Sequence, residues 1–243
     1  MTNYNFSSKF KHANIVSITL FFMSIILIIF KGLNYGIDFK GGTLIELRSN
    51  NTEASSIRDV LKNMDLGDVN VKKFGKKGDF LIKVEQTGNN NKLIPEIKKN
   101  LSDNLNTDVN FRRVENVGPK VSAELLQSGI MAISLSLAAM LFYIWIRFEW
   151  QFSIGSIMAL LHDVTITLGI FSLLELEINL SIIAAVLTIV GYSMNDTVVI
   201  YDRIRENLNK FHKLNISDIA NLSINETLAR TIITSVTTLL ALF

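Results

Sequence analysis

The stretch LTIVGYSMNDTVVIYDRIREN, residues 187–207, begins as an apolar helix of membrane grade, buries Asn195 and Asp196 near its end, and closes on a charged DRIRE segment. A carboxylate at the centre of a bilayer-spanning helix costs about 2.5–3.5 kcal/mol on insertion scales, so such groups face a bundle interior or a wet cavity. Asp196 is therefore the first candidate for function, and the rest of the chain must supply its partner.

Working outward, the bulk composition agrees with a membrane protein. The 243 residues are 49% hydrophobic and 19% charged, with a net charge of +2, and the mean hydropathy is +0.32. Values this apolar in a chain of this size point to spanning helices. Lys and Arg alternate with Asp and Glu without forming a basic stripe, which argues against nucleic acid as a partner. The absence of cysteine excludes disulfides, thiol catalysis and Cys-ligated metal. Three histidines leave little room for a His-rich metal centre. No set of nucleophile, base and orienting group is visible, so the chain is expected to be neither an enzyme nor the holder of a metal or organic cofactor.

Apolar windows at residues 14–30, 125–146, 152–174 and 178–200 have the length of spans. A fifth window begins at Thr231 and runs to Phe243. Its roughly thirteen residues cover about 20 Å of a ~30 Å hydrocarbon core, so it reads as a truncated span. The first window follows Lys9, Lys11 and His12, but no small-x-small cleavage site comes after it, which favours an uncleaved span over a signal peptide. Arg147 lies between spans two and three, and Arg203, Arg205, Lys210, Lys213 and Arg230 follow span four. Positive-inside bias then puts the amino terminus in the cytoplasm and the long segment after span one outside. The expected division is a cytoplasmic start and first span at 1–31, an external domain at 32–120, spans two to four at 121–200, a cytoplasmic amphipathic loop at 201–229, and the truncated span at 230–243.

The external segment has a different pattern. Residues 43–47 alternate as a strand, and Ile57, Val60, Leu61 and Met64 recur at helical spacing after a start region at 52–56 rich in capping residues. Residues 69–74 and 80–84 read as strands joined by GKKGD, Leu93, Ile97 and Leu101 form a second helical stripe, and 109–114 is a last strand. The order βαββαβ suggests a small ferredoxin-like α+β layer. GIDFKGGT, residues 36–43, lacks the GK[ST] ending of a phosphate loop and precedes a strand, so it reads as a tight turn.

Several polar groups lie within the spans. Ser128, Ala132 and Ser136 repeat four apart beside Gly129 and read as helix packing. Gly155, Ala159, Asp163 and Thr167 share a face of span three, with His162 adjacent and Asp163 roughly 16 Å deep. A helix contact or part of a proton pathway fits this pair better than a metal site, because no third ligand is evident. Thr188, Gly191 and Asn195 form a line beside Asp196. Counting from the same side, Asp196 lies about 6 Å in and Arg230 about 5 Å in on the next, antiparallel span, which makes Arg230 the expected partner; the alternative is that Arg230 snorkels to the lipid headgroups and only marks the boundary. Between them, Ile204, Leu208 and Phe211 suggest one amphipathic helix, and Ser217-Asp218 the cap of a second through Ile219 and Leu222.

With these pieces placed, the chain resembles the SecF family, the smaller of two related subunits of the bacterial protein-export accessory complex. The matching stretches are GIDFKGGT, FRRVENVGPKVSAEL at 111–125, ALLHDV at 159–164, VGYSMNDTVVIYDRIREN at 190–207 and LARTIITSVTTL at 228–239. The resemblance implies a multi-pass inner-membrane subunit of six spans, of which about five are present here. It implies SecD, the SecYEG channel, YajC and a preprotein as partners, and protons as the coupling ion. Asp196 and Arg230, with Asn195, Asp163 and His162 beside them, are carried over as a proton pathway. Asp38, Gly41 and Gly42 are carried over as a structural or coupling motif. Two other readings stay open: a proton-driven exporter of small molecules or lipids in the wider resistance-nodulation-division group, and a non-conducting scaffold.

Overall fold

The computed structural model describes residues 4–49, 52–64, 66–85, 90–105, 107 and 109–242; Phe243, the expected end of the fifth span, and residues 1–3 lie outside the described residues. Two compact units result, one of helices and one formed by residues 34–132 with 177–183.

In the second unit the strands β2 (Gly42–Arg48), β3 (Val69–Lys73), β4 (Asp79–Val84) and β5 (Asn110–Val117) are interleaved with helices α3 (Ala54–Lys62) and α4 (Asn90–Leu105). The sheet order is β3-β4-β2-β5, and every neighbouring pair is antiparallel. Each helix-containing connection therefore crosses one intervening strand. Period-two alternation sends Ile45 and Leu47 of β2, and Phe80, Ile82 and Val84 of β4, to a single face, where Ile57, Leu61, Ile97 and Leu101 of the two helices cover them. Full burial of such side chains contributes about 1.5–3 kcal/mol each. The GKKGD turn has Gly75 at φ 64° and Gly78 at φ 93°, conformations a Cβ would oppose. On the sheet, Arg48 donates to the largely buried Asp79 at 2.5 and 2.6 Å. That hydrogen bond is the main reason the Asp79 carboxyl sits below its ordinary range.

The segment read as a tight turn holds more structure than expected. A two-residue strand β1 (Asn34–Tyr35) and one helical turn α2 (Ile37–Lys40) precede β2. β1 pairs in parallel with β6 (Glu177–Ile178). A pairing of two residues from segments more than a hundred positions apart leaves no local periodicity to read.

The long helices are α1 (Phe10–Lys31), α5 (Pro119–Arg147), α6 (Trp150–Leu174), α7 (Leu180–Lys210) and α8 (Ile216–Leu242). Among the described residues, four helices are long and apolar enough to cross a membrane, ending at Lys31, Arg147, Leu174 and Lys210. α8 is apolar mainly beyond Arg230. The expected loop of separate amphipathic helices at 201–229 is not observed. α7 runs on to Lys210, α8 starts at Ile216, and only residues 211–215 separate them. The DRIRENLNK segment contains no Gly or Pro and consists largely of good helix formers, so nothing ends the helix at the charged boundary. Ser217 and Asp218 lie in the first turn of α8 rather than between two elements.

Side-chain contacts fix the register of the helical unit. A Cβ at Gly169 would lie 2.4 Å from the Cβ of Ser24, and the Ser172 hydroxyl lies within donating distance of the Leu27 and Gly32 carbonyls. α1 and α6 thus run parallel and approach closely through small residues, as membrane helices do. Gly155 faces Tyr201 and Asp163 meets Ser193, so α6 and α7 are antiparallel. Arg203 bonds Glu226 at 2.6 Å and Asn207 bonds Ser223 at 3.0 Å, making α7 and α8 antiparallel too. The backbone N–H groups of Phe6 and Ser7 donate to Asn221, and that of Tyr4 to Asn225, which docks the amino-terminal segment on α8. On α5, Ser128 and Ala132 are exposed rather than packed. The close approach there is made by Gly129, against Ile183.

Candidate functional site

Asp163 and Asp196 line one cavity of about 620 Å³ with Thr188, Tyr192, Ser193, Thr234 and Thr238, bounded by α6, α7 and α8. Both carboxylates are half-buried. The i+4 spacing of Thr188, Tyr192 and Asp196 carries these groups down one stripe of α7.

Asp163 is the better-anchored acid. Its Oδ1 pairs with His162 Nδ1 at 2.9 Å, and its Oδ2 accepts the Ser193 hydroxyl at 2.6 Å. The other ring nitrogen, His162 Nε2, lies 2.5 Å from Ser17 Oγ on α1, and the ring stacks on Phe21 at 6.2 Å and 11°. Neighbouring positions diverge by about 100° on a helix, yet the short Asp side chain reaches the imidazole of the preceding residue. Ser17 and Ser193 were not among the residues expected from sequence. Their only signal there is a hydroxyl within an apolar run, which most often serves packing.

The expected pair of Asp196 with Arg230 does not form. The Arg203–Glu226 and Asn207–Ser223 bonds put Asp196 level with residues 233–234 of α8. Arg230 stands level with Val199, about one helical turn or ~5 Å nearer the charged end. Depth counted from each helix alone missed this offset because both helices extend past the assumed boundary. Arg230 is exposed and lines a different cavity of about 620 Å³ with Asp202, Arg203, Arg205, Glu206 and Thr227. Asn195 is exposed on another side of α7 from the Asp196 cavity and contributes nothing to its lining.

The charged end of α7 is tied down instead by a network. Arg147 binds Asp202 at 2.9 Å, and Arg205 binds Asp202 at 3.2 Å. Arg203 bridges Glu206 and Glu226, and Asn207 adds a 2.8 Å bond to Glu226. The Arg203 guanidinium holds the Glu226 carboxyl below its usual range. Lys210 and then Arg203 do the same for Glu206.

In the other unit, Asp38 Oδ2 accepts the backbone N–H of Leu180 at 3.0 Å, satisfying a donor that the first turn of α7 would otherwise leave open. Gly41 (φ 76°) ends α2, and Gly42 (φ 118°) starts β2 with no room for a side chain, since a Cβ there would lie 2.5 Å from the Val84 carbonyl oxygen. Lys83 Nζ donates to the Tyr35 carbonyl at 2.6 Å, and burial pushes its pKa down. The two glycines thus let the chain turn from α2 directly into the sheet.

A family model described as protein export membrane protein SecD/SecF, C-terminal, matches residues 97–243, and the SecD/SecF GG motif matches residues 26–53. The protein translocase subunit SecF of Rickettsia bellii is 48% identical over 242 residues, spanning 98% of this chain and 80% of that protein. The chain belongs to the SecF family. The Rickettsia felis SecF is similar at 47% identity, with 98% of this SecF-family chain and 79% of the relative covered. Among solved structures, the crystal structure of SecDF, a translocon-associated membrane protein from Thermus thermophilus, aligns with a TM-score of 0.88 at 36% identity over 98% of this chain. SecDF in its super-membrane-facing form aligns with a TM-score of 0.68 at 35% identity. The SecF-family chain spans about a third of the length of those SecDF chains, 33% in each. A multi-pass helical membrane protein is thus the common architecture, and Gly41 and Gly42 fall inside the glycine motif that defines the match at 26–53.

Proposed function

We propose that this chain is a non-enzymatic subunit that works with SecD beside the SecYEG channel and YajC, using the proton-motive force to promote preprotein export across the bacterial inner membrane. In this reading the amino terminus is cytoplasmic, the α/β unit is periplasmic and of the ferredoxin-like class, and protons are the coupling ion. Family membership supports the export role. The observation that carries the coupling is the pair of half-buried acids, Asp163 and Asp196, on one cavity inside helices of membrane length.

Protonation of Asp196 neutralises a charge lodged within a membrane-length helix, and the helices that line its cavity then repack. One charge crossing 100 mV supplies about 2.3 kcal/mol for this. The strand order β3-β4-β2-β5 with two strand-skipping crossovers supports the ferredoxin-like assignment. The test is Asp196→Asn in the full complex, assayed for preprotein export into inverted vesicles with and without a proton gradient. Loss of the gradient-dependent part is expected; gradient-driven export at the wild-type rate refutes the coupling role.

A further inference from the structure

We propose that the groove between α1 and α6 binds one anionic phospholipid from the leaflet at the amino-terminal end of α1, with the lipid phosphate on Lys9 and His12 and an acyl chain along Ala13, Val16 and Leu20. The groove shares no lining residue with the cavities of Asp196 and Arg230, and its occupation requires no proton movement.

The groove has a volume of about 830 Å³, with Lys9, His12, Ala13, Val16 and Leu20 on one side and His162 of α6 on the other. Sites for small ligands run to about 300–1,000 Å³, so it is large enough for part of a lipid. Spacings of three and four place the five residues of the first side on one helix stripe. Val16 and Leu20 are 58% and 40% exposed, which leaves the apolar trough uncovered. No Asp or Glu lines it. Among the described residues, the side chains of Lys9 and His12 have neither an ion-pair nor a hydrogen-bond partner. At the inner end, Ser17 Oγ and His162 Nε2 are spent on their mutual 2.5 Å contact and make no demand on a hydrocarbon chain.

Depth decides the occupant. α1 and α6 are in parallel register, Ser17 meeting His162 and Ser24 meeting Gly169, at an offset of 145 positions. Lys9 is therefore level with Ile154, one turn or ~6 Å past Trp150. Trp145 and Trp150 are 65% and 64% exposed and flank Arg147, the aromatic and basic girdle of a membrane–water interface. A lysine just inside that girdle extends its ammonium back to the phosphates. His12, about one turn deeper, stands below it at the level of the glycerol esters. From Lys9 to Leu20 the groove runs ~16 Å, about half of a ~30 Å hydrocarbon core and hence the depth of one leaflet. A basic mouth over an apolar trough of that length matches the phosphate and one chain of a single lipid, and basic pockets between spans select anionic headgroups. A neighbouring span laid in the groove would instead cover two cations against hydrocarbon, which is costly.

The experiment is native mass spectrometry of the full chain released from detergent micelles that contain equal amounts of dioleoylphosphatidylglycerol and dioleoylphosphatidylcholine. One retained phosphatidylglycerol per chain is expected, in preference to phosphatidylcholine. Lys9→Gln is expected to weaken its retention by about fivefold, and Lys9→Gln with His12→Gln by about 25-fold, the worth of one and two cations at a lipid surface. Lys11→Gln removes the same charge from outside the groove and should leave retention unchanged. Val16→Trp keeps both cations but fills the trough, and should lose the lipid. Equal retention of the two lipids, or equal losses in Lys9→Gln and Lys11→Gln, shows an annular shell only and overturns the site. Wild-type retention in Val16→Trp overturns the placement of the acyl chain. The same measurement on the chain bound to SecD separates the remaining occupant: a lipid still retained supports the proposal, and a lipid lost on assembly overturns it in favour of a partner span in the groove.

Discussion

Replacing Gly42 by alanine is the sharpest single test of how the α/β unit is joined to the segment before it. The backbone there has φ 118°, and a Cβ would lie 2.5 Å from the carbonyl oxygen of Val84. That oxygen belongs to the strand paired with β2, where Thr43 stands opposite Val84, so it cannot move aside without disturbing the ladder. Holding a non-glycine residue in such a conformation costs about 1–3 kcal/mol, and a displaced ladder hydrogen bond adds about 1 kcal/mol. A total of ~3 kcal/mol lowers the melting temperature of a domain this size by roughly 12–24 °C, at about 4–8 °C per kcal/mol. The assay is the temperature at which the α/β unit becomes sensitive to protease in the full chain held in membrane vesicles. Gly118→Ala is the internal control, because a Cβ at Gly118 meets nothing within 4 Å. If Gly42→Ala melts with Gly118→Ala and wild type, the steric account of the paired glycines is wrong.

Gly169→Ala is expected to destabilise the helical unit by about 1–3 kcal/mol through overpacking against Ser24, read as a lower aggregation temperature in detergent. The double variant Gly169→Ala with Ser24→Gly removes the Cβ and Oγ at 2.4 Å but leaves the Ser24 Cα at 2.8 Å, so it should recover part of the loss and still melt below wild type. Asp79 gives a pH dependence of defined sign. Its pKa is lowered in the folded state by Arg48, so its contribution is complete above the unfolded value of about 3.9 and fades as pH falls through the folded one. Asp79→Asn should therefore melt below wild type at neutral pH, with the gap closing in acid; a gap that stays constant down to the lowest pH contradicts the ion pair.

Much of the fold was legible in the sequence because two periodicities carry it. Alternation in residues 43–47 and 80–84, and the helical stripes of Ile57 and Leu61 and of Ile97 and Leu101, are local consequences of one buried sheet face. Four spans were equally plain, since length and apolarity suffice. The ends were not. α7 continues past its membrane-grade segment on charged residues, and α8 begins well before its apolar part on largely polar ones, and hydropathy registers neither extension. The same error propagated to the site, where counting depth from assumed ends placed Arg230 beside Asp196. The register comes instead from Arg203 with Glu226 and Asn207 with Ser223, pairs that only the folded chain reveals. Asp163 and His162 were visible as buried polar groups, whereas their hydroxyl partners Ser17 and Ser193 lie 145 and 30 residues away in sequence.

The docking of the amino-terminal segment onto α8 sets a timetable for biosynthesis. Phe6 donates to Asn221, 215 positions later in the chain. At about 5–20 residues per second, that acceptor leaves the ribosome on the order of 10–40 s after its donor. The first helix must therefore be inserted, and its contacts with α6 made, while the segment before it is still unanchored. α8 arrives after α6 and α7 and covers the amino-terminal segment, so a nascent chain halted anywhere before Asn221 presents the same first helix with an open flank.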